Sequence, residues 1–266
     1  MKLTKTNYYT TKNRYISNSK ISDWLKSKRY FYEKHVLGSR VKEETPALII
    51  GKAVDTWLTV SRREFEKQYI RVARRSKDDG KITQLTEAQY DEVIGICEAV
   101  ERHSCYEELK KAKKQVILQM DKKYGMFPGA CGIPDFISGD GKTIYDLKTS
   151  STIDTKKYFY HAQQYGYFRQ QAMYQMLLEE TTGATGIISY HLVVEKDPDK
   201  IYRVQTFLLD QYMINQEKEN VKKILEEIGK EEKFEDPDIS FKDAILLTNP
   251  NPALPEKGDE GEWERA

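Results

Sequence analysis

The sequence predicts an α/β (α+β) fold in which helices flank a central mixed β-sheet. Two patterns lead to this prediction: long segments repeat apolar residues every three to four positions, and shorter runs of branched and aromatic residues lie between turn residues. The 266 residues, 39% hydrophobic and 32% charged, are enough to bury one sizeable core. We therefore expect a single domain over residues 1–248 and a flexible acidic tail, rich in proline and glycine, over 249–266.

Three helices are predicted in the first half of the chain. The first spans residues 19–36 with Ser19 as its cap, and its core-facing residues are Ile21, Trp24, Leu25, Tyr32 and Val36. Thr45 and Pro46 precede the second helix, which continues through residue 58. The third spans residues 86–102, because a Thr-Glu pair typical of a helix start precedes regularly spaced apolar residues.

Most strands of the sheet are predicted in the second half of the chain. A strand over residues 115–120 leads into a β-hairpin, and a long helix over 165–180 follows, ending before Gly183. Two more strands are expected on either side of an Asp-Pro-Asp turn, and a last helix comes after them; these segments cover 186–195, 201–209 and 210–231.

The predicted hairpin carries the main chemical signal. Its arms, residues 131–137 and 143–148, are joined at a Gly-Asp-Gly turn. If a four-residue loop over 139–142 closes it, Asp135 lies opposite Asp146. Side chains alternate between the two faces of a strand, so Lys148 projects to the same side as Asp146.

Two carboxylates this close repel each other unless a cation neutralises them. Oxygen ligands without a nearby cluster of cysteine or histidine suit a hard ion, Mg²⁺ or Mn²⁺, which also binds substrate phosphate. Lys148 could then orient a water molecule or help to deprotonate it, because metal ions weaken the hold of a neighbouring amine on its proton. The alternative without a chemical function is that Asp-Leu-Lys lies on a solvated strand edge.

The order Pro-Asp, hairpin, Asp-x-Lys resembles the PD-(D/E)xK nuclease superfamily, and other segments resemble its RecB/RecE-like exonucleases. Gln170 and Tyr174, four residues apart, are similar to the Gln-x-x-x-Tyr element that follows the active-site strand in those enzymes. Residues 45–58 resemble their Gly-x-Ala-x-His helix start, and the likeness extends over roughly residues 15–210.

This resemblance implies a restriction-endonuclease-like core and assigns roles to residues. Asp135, Asp146 and Lys148 would be catalytic. Both aspartates and the backbone carbonyl of Leu147 would hold Mg²⁺ or Mn²⁺, with Gln170 and Tyr174 in supporting positions.

Two positions depart from the family pattern. Asp55 replaces the histidine that commonly binds metal and could still serve as an oxygen ligand. Gln115 stands where many relatives carry a glutamate, and its neutral amide could only hydrogen-bond a metal-bound water. These departures leave open whether one metal ion or two are bound.

The net charge is only +1, but basic residues outnumber acids eight to four over residues 62–81. This segment is the best candidate for contacting phosphates. The alternative is that it forms an ordinary exposed loop without contact to DNA. The candidate DNA-binding residues are Arg71, Arg74, Arg75, Lys77 and Lys81, together with Thr149 and Ser150 beyond the active-site strand.

The RecE-like resemblance further implies an exonuclease that degrades one strand of linear double-stranded DNA from the 5′ end during recombination or repair. It also implies a ring-shaped homo-oligomer that binds DNA ends and works beside a single-strand annealing protein. Two alternatives stay open: an endonuclease or junction resolvase of the same fold, and a DNA-binding relative that has lost catalysis.

The sequence also bears on location. No apolar run approaches the roughly 20 residues that cross a bilayer, and the first residues lack the apolar centre of a signal peptide. Three cysteines without tight spacing predict reduced thiols. We expect a cytoplasmic protein without a membrane partner, and the resemblance points to a bacterial cell or a phage gene.

Overall fold

The computed structural model describes residues 2–10, 13–40, 45–73, 82–196 and 201–236. Arg74, Arg75, Lys77 and Lys81 lie outside the described residues, as do the predicted turn at 197–199 and the acidic tail at 249–266. The domain boundary expected at residue 248 is likewise outside them. Residues Met1–Phe234 form one compact unit.

Ten α-helices lie in the described residues. In chain order they are α1 (Lys5–Tyr8), α2 (Asn18–Lys26), α3 (Lys28–Tyr32), α4 (Pro46–Asp55), α5 (Arg62–Gln68), α6 (Glu87–Arg102), α7 (Tyr106–Lys111), α8 (Thr155–Gln164), α9 (Tyr167–Thr182) and α10 (Gln211–Lys230). Two π-helical turns, Glu33–Leu37 and Thr56–Val60, continue α3 and α4. None of the described helices has the length and apolar character needed to cross a membrane.

Nine strands accompany them in the same residues. They are β1 (Tyr69–Val72), β2 (Thr83–Thr86), β3 (Lys113–Lys114), β4 (Leu118–Met120), β5 (Ala130–Gly132), β6 (Phe136–Ile137), β7 (Thr143–Ser150), β8 (Ile188–Glu195) and β9 (Val204–Leu208). Five form the central sheet in the order β3-β6-β7-β8-β9, in which only β7 and β8 run parallel. The predicted mixed sheet flanked by helices is therefore confirmed.

Both faces of the central sheet are buried. Ile137 and Ile144 pack on one side with apolar residues of α2, α9 and α10. Phe136 and Leu192 pack on the other side with apolar residues of α4 and α6. Because side chains alternate along a strand, neighbouring residues of β6 and β7 face opposite layers. The side chains that are not apolar on these strands must therefore be accommodated between the sheet and a helix.

The hairpin has the predicted register. Phe136 pairs with Tyr145 and Ile137 with Ile144, and Ser138 N donates to Thr143 O at 2.9 Å. The continuous first arm predicted over 131–137 is wrong, however. The segment divides into β5, which pairs with β4 in a separate sheet, and the short β6. Pro134 lies in the break, where its missing N–H cannot interrupt a ladder.

The single strand predicted over 115–120 is also wrong. Gln115 has a φ of 49°, in the left-handed region that interrupts a strand, and it separates β3 from β4. Its backbone N–H donates instead to Asp135 O at 3.0 Å. The chain thus changes sheets next to the hairpin.

The helix predicted over 19–36 is broken at Ser27, which is extended with a φ of −169° and caps α3 by accepting from Tyr30 N. Ser17, rather than the predicted Ser19, holds the N-cap position of α2. Leu25 is 53% exposed, so its predicted core position is wrong. A sequence period alone does not detect a bend that keeps both halves on the same apolar layer.

Other helix ends follow the expected signals. Thr45 accepts from Leu48 N at the start of α4, and Thr86 forms a capping box with Gln89 at the start of α6. Gly183, with a φ of 70°, ends α9, and Asp210 caps α10. The helix α8 was not predicted, although Asp154 caps it by accepting from Lys157 N and Tyr158 and Ala162 form a buried face.

Asp23 should contribute stability that depends on pH. It accepts hydrogen bonds from Lys34 Nζ at 2.9 Å and from His35 Nε2 at 2.6 Å when that nitrogen is protonated. Burial raises the pKa of Asp23, but these two hydrogen bonds outweigh burial and hold the pKa below its usual 3.8. A carboxyl pKa that is lower in the folded state stabilises the fold above the unfolded value, and this contribution disappears as the pH falls through the folded value.

We expect Asp23→Asn to reduce the free energy of unfolding by about 1–2 kcal/mol at pH 7, as for lost hydrogen bonds to a charged group. The difference from wild type should shrink as the pH falls below about 4. Urea unfolding of both proteins at pH 7 and pH 3 measures it. An equal difference at both pH values would contradict the assigned charge interaction.

Candidate active site

The residues singled out on the hairpin meet in one cavity of about 400 Å³. It lies between β7, one side of α4 along its length, and the first turns of α9. The polar side chains that line it include Lys52, Asp55, Asp135, Asp146, Lys148, Gln170 and Tyr174. Three carboxylates and two amines thus share a site although their positions in the chain span more than 90 residues.

Lys148 lies at the centre of the polar contacts. Its Nζ forms an ion pair with Asp146 Oδ2, on the same face of β7, and donates to Gln170 Oε1 at 2.9 Å. The ammonium also lies 4.5 Å from the ring centroid of Tyr167, within range of a cation–π contact. Three different groups therefore restrict where the amine can point.

Gln170 links the amine to the helix that covers the site. Its carbonyl oxygen accepts from Lys148, and its Nε2 donates to Tyr174 OH at 3.0 Å. Both residues belong to α9 and stand one helical turn apart, so they face the same way. The Tyr174 ring also leaves no room for a side chain at Gly132 on β5, because a Cβ added there would lie 2.8 Å from that ring.

Asp135 is held at the end of the paired part of the hairpin. Its Oδ2 accepts from Leu147 N at 2.7 Å, and its backbone O accepts from Gln115 N. Its place in the chain continues the register of β6 and β7 toward Asp146, as predicted from the loop length. The backbone of Gln115 and β7 together fix this carboxylate.

Asp55 enters the cavity from the last turn of α4. Gln115 Nε2 donates to Asp55 Oδ2 at 2.5 Å, so the two positions that depart from the family pattern contact each other. The other oxygen, Oδ1, is buried and has no hydrogen-bond partner among the described residues. A buried carboxylate oxygen without a partner is unfavourable unless a cation or a donor reaches it.

Burial and the neighbouring carboxylate charges raise the pKa of Asp135 and of Asp55. Burial, followed by the Asp146 and Asp55 charges, raises the pKa of Asp135 well above its usual value. Burial and the Asp146 charge raise the pKa of Asp55 to about 6. This concentration of negative charge favours a bound cation.

Without a metal ion, the neighbouring carboxylates set the pKa of Lys148, and the weakening expected beside bound metal ions stays a prediction. Burial lowers this pKa, but the Asp146 and Asp135 carboxylates outweigh burial, and the pKa is raised. The amine is therefore an ammonium at neutral pH. In this form it can donate hydrogen bonds and neutralise charge.

The donor set fits a hard divalent cation. Among residues 2–236, outside the gaps noted above, no three Asp, Glu, His or Cys side chains lie close enough to enclose an ion by themselves. Mg²⁺ typically takes only one or two carboxylates and keeps several waters. The unpartnered Asp55 oxygen and the mutual repulsion of the carboxylates are what such an ion would relieve.

The candidate DNA contacts are placed less uniformly. Thr149 lines the cavity, whereas Ser150 is buried and its Oγ accepts from Thr152 N. Arg71 lies on β1 and forms an ion pair with Asp91 at 3.1 Å. Counting basic residues in a segment does not predict that Asp91, from another segment, neutralises Arg71.

Two aromatic residues near the site were not predicted. Tyr167 lies under the Lys148 ammonium, and its place three residues before Gln170 on α9 could have indicated this. Tyr158 OH hydrogen-bonds His191 Nδ1 at 2.9 Å, and His191 is the register partner of Asp146 on β8. Burial, and then the Lys148 charge, lower the pKa of His191, which therefore stays neutral beside the site.

All three cysteines fall within the described ranges, and Cys97, Cys105 and Cys131 are free thiols. Cys97 and Cys131 are buried, and Cys105 is half-buried. None of them lines the cavity described above. The site chemistry therefore depends on oxygen and nitrogen groups.

Comparisons with known proteins identify the family and the fold. The family model described as a PDDEXK-like domain of unknown function (DUF3799) matches residues 17–240. Among solved structures, the chain is similar to a proposed exonuclease from Eubacterium rectale, with a TM-score of 0.65 and 19% identity over 94% of this chain and 96% of that chain. Likeness at this identity shows the fold alone.

The alignment with a second structure, of SSO0001, covers 68% of this chain and 87% of that chain at 15% identity, and its TM-score of 0.29 is too low to indicate a shared fold. No curated protein matches the chain. The family model, however, spans most of the sequence. The protein therefore belongs to this PDDEXK-like family and, as its sequence predicts, to the PD-(D/E)xK nuclease superfamily.

Proposed function

We propose that this protein is a metal-dependent nuclease that hydrolyses phosphodiester bonds of DNA. The observation that carries the proposal is the position of Lys148, held between Asp146 and Gln170 in a cavity that also contains Asp135 and Asp55. An ammonium beside clustered carboxylates offers one group for a phosphate or a water and several for a cation. Membership of the PDDEXK-like family supports the same chemistry.

In this mechanism Asp135, Asp146 and the backbone carbonyl of Leu147 would hold Mg²⁺ or Mn²⁺, and Asp55 would complete the shell. The bound cation would supply Lewis-acid stabilisation of the charge on the phosphate. Lys148 would orient the attacking water and donate hydrogen bonds to the phosphate oxygens. Gln170 and Tyr174 would keep the ammonium in that position.

The narrower proposal is an exonuclease that degrades linear double-stranded DNA from the 5′ end in recombination or repair. It is supported by the RecE-like order of motifs, and the structural neighbour is itself described as a proposed exonuclease. A ring-shaped homo-oligomer, a single-strand annealing partner and a cytoplasmic location in a bacterial cell belong to the same proposal. An endonuclease or an inactive DNA-binding relative would share the fold.

Incubation of an end-labelled linear duplex with the protein tests this function. With Mg²⁺ or Mn²⁺ we expect progressive release of mononucleotides, with the 5′ label released before the 3′ label, and no release in excess EDTA. Discrete internal fragments would identify an endonuclease. An intact duplex that the protein still binds, together with no metal uptake by calorimetry, would identify an inactive relative.

A further inference from the structure

A second groove, of about 620 Å³, adjoins the active-site cavity. Gln170 and Tyr174 line both, so the two spaces meet at the wall that holds Lys148. The rest of the groove is made mostly by the N-terminal segment, the first turn of α2, and the π-helical turn Glu33–Leu37 with the residues after it. Its polar and aromatic lining includes Tyr8, Tyr9, Ser17, Ser19, Lys20 and Arg40.

Lys20 has an unusual environment in this groove. It is only 9% exposed, although it lies on the first turn of α2. Its Nζ donates to two backbone carbonyls, Asn13 O at 2.6 Å and Tyr15 O at 2.9 Å. An ammonium has three N–H donors, so these two bonds hold the group in place and leave one donor for a ligand.

No acid of the described residues forms an ion pair with Lys20, whereas its basic neighbours in the groove are compensated. Lys34 pairs with Asp23, and Arg40 pairs with Glu33. Burial lowers the pKa of Lys20 to about 8, which leaves the group charged at neutral pH. A buried cation without a counter-charge is unfavourable, and an anion in the groove would remove that cost.

Aromatic groups in the groove suit unpaired bases. Tyr9 is 79% exposed and lies edge-on to Tyr8, with ring centroids 4.9 Å apart. An exposed aromatic ring offers a stacking surface to any base, whereas the bases of a duplex are already stacked on each other. The hydroxyls of Ser17 and Ser19 hydrogen-bond each other at 3.0 Å, which leaves one O–H donor that suits a phosphate oxygen.

We propose that this groove binds an unpaired DNA strand next to the active site, with Lys20 as the ligand of a backbone phosphate and Tyr9 as a stacking platform for a base. This proposal rests on the nuclease function proposed above, because the groove would guide the strand whose linkage is cut. It adds a site for single-stranded DNA to the cavity that holds the reacting linkage. The groove would thereby select a strand that has left its duplex.

Binding of a fluorescent oligonucleotide of ten thymidines, measured by anisotropy in EDTA over a range of salt concentrations, tests the proposal without any cleavage. Lys20→Met should weaken binding roughly tenfold to a hundredfold, as for a lost hydrogen bond between charged groups. The slope of log affinity against log salt should fall by about 0.7, the value for one phosphate contact on a single strand. Lys26→Met is the matched control on the exposed side of α2 and should leave both unchanged.

Because Lys20 also contacts the backbone, a thermal melt shows whether Lys20→Met remains folded. If Lys20→Met is unfolded, Tyr9→Ala tests the proposal instead, because the exposed ring can be removed without loss of core packing. Tyr9→Ala should weaken binding of the oligonucleotide while leaving the salt slope unchanged. Wild-type binding by either Tyr9→Ala or a folded Lys20→Met would overturn the proposal, as would an equal loss of affinity for blunt duplex.

The two proposals fail separately. If wild-type protein cuts linear duplex and Lys20→Met still binds the oligonucleotide normally, the groove proposal fails and the nuclease function stands. If binding depends on Lys20 and Tyr9 but no divalent metal supports cleavage, the groove is a single-strand site and the nuclease function fails.

Discussion

Lys148→Ala should lose DNA cleavage by a factor of about 10²–10⁴ while remaining folded. The ammonium is paired with Asp146 within the carboxylate cluster, and loss of one positioned donor to a developing phosphate charge has an effect of this order. Removal of the Lys148 side chain also breaks three contacts, because its Nζ contacts Asp146, Gln170 and Tyr167. Single-turnover cleavage of a linear duplex with Mg²⁺ measures the loss.

Lys142→Ala is the matched control for this experiment. Lys142 lies on the exposed loop of the same hairpin, six positions before Lys148. Its removal changes the net charge equally without touching the cavity. Equal cleavage by Lys148→Ala and wild type, or an equal loss in both variants, would refute the role assigned to Lys148.

Asp135→Asn should abolish metal-dependent stabilisation and, without metal, raise the melting temperature by a few degrees. The asparagine oxygen can still accept from Leu147 N, so the backbone contact is retained. The substitution removes a charge that Asp146 and Asp55 make unfavourable, and a gain of 1 kcal/mol corresponds to about 2–4 °C in a protein of this size. Thermal melts at pH 8 with EDTA and with increasing Mg²⁺ measure both effects.

Asp140→Asn serves as the control for this variant. Asp140 accepts from Ser138 Oγ and Lys142 N in the exposed loop and lies away from the three carboxylates. It should leave the response to Mg²⁺ intact. A wild-type response to Mg²⁺ in Asp135→Asn would show that this carboxylate does not hold the cation.

Features set by neighbouring residues could be predicted from the sequence. The register of the hairpin follows from the four-residue loop and the alternation of its arms, which bring Asp146 and Lys148 to the same face. The ends of α4, α6, α9 and α10 follow from capping residues or a glycine. Each depends on contacts within a few positions of the chain.

Features that depend on packing could not be predicted in the same way. The left-handed backbone at Gln115 divides a strand that looks continuous, because its N–H bonds Asp135 O in another segment. Leu25 fits the helical period but is exposed, since α2 stops at Ser27 and α3 starts in a new direction. The burial of Lys20 beneath an N-terminal segment is equally invisible to periodicity.

The π-helical turn Thr56–Val60 makes the segment after Asp55 sensitive to chain length. A residue in an ordinary α-helix advances by about 100° around the axis, so deleting Thr56 would turn Asp55 by about that angle relative to Trp57 and Leu58 in the core. Such a deletion would preserve a helix and a buried layer, yet it would swing the carboxylate out of reach of its neighbours. Natural chains that are one residue shorter at this point should therefore have recruited an acid from another position.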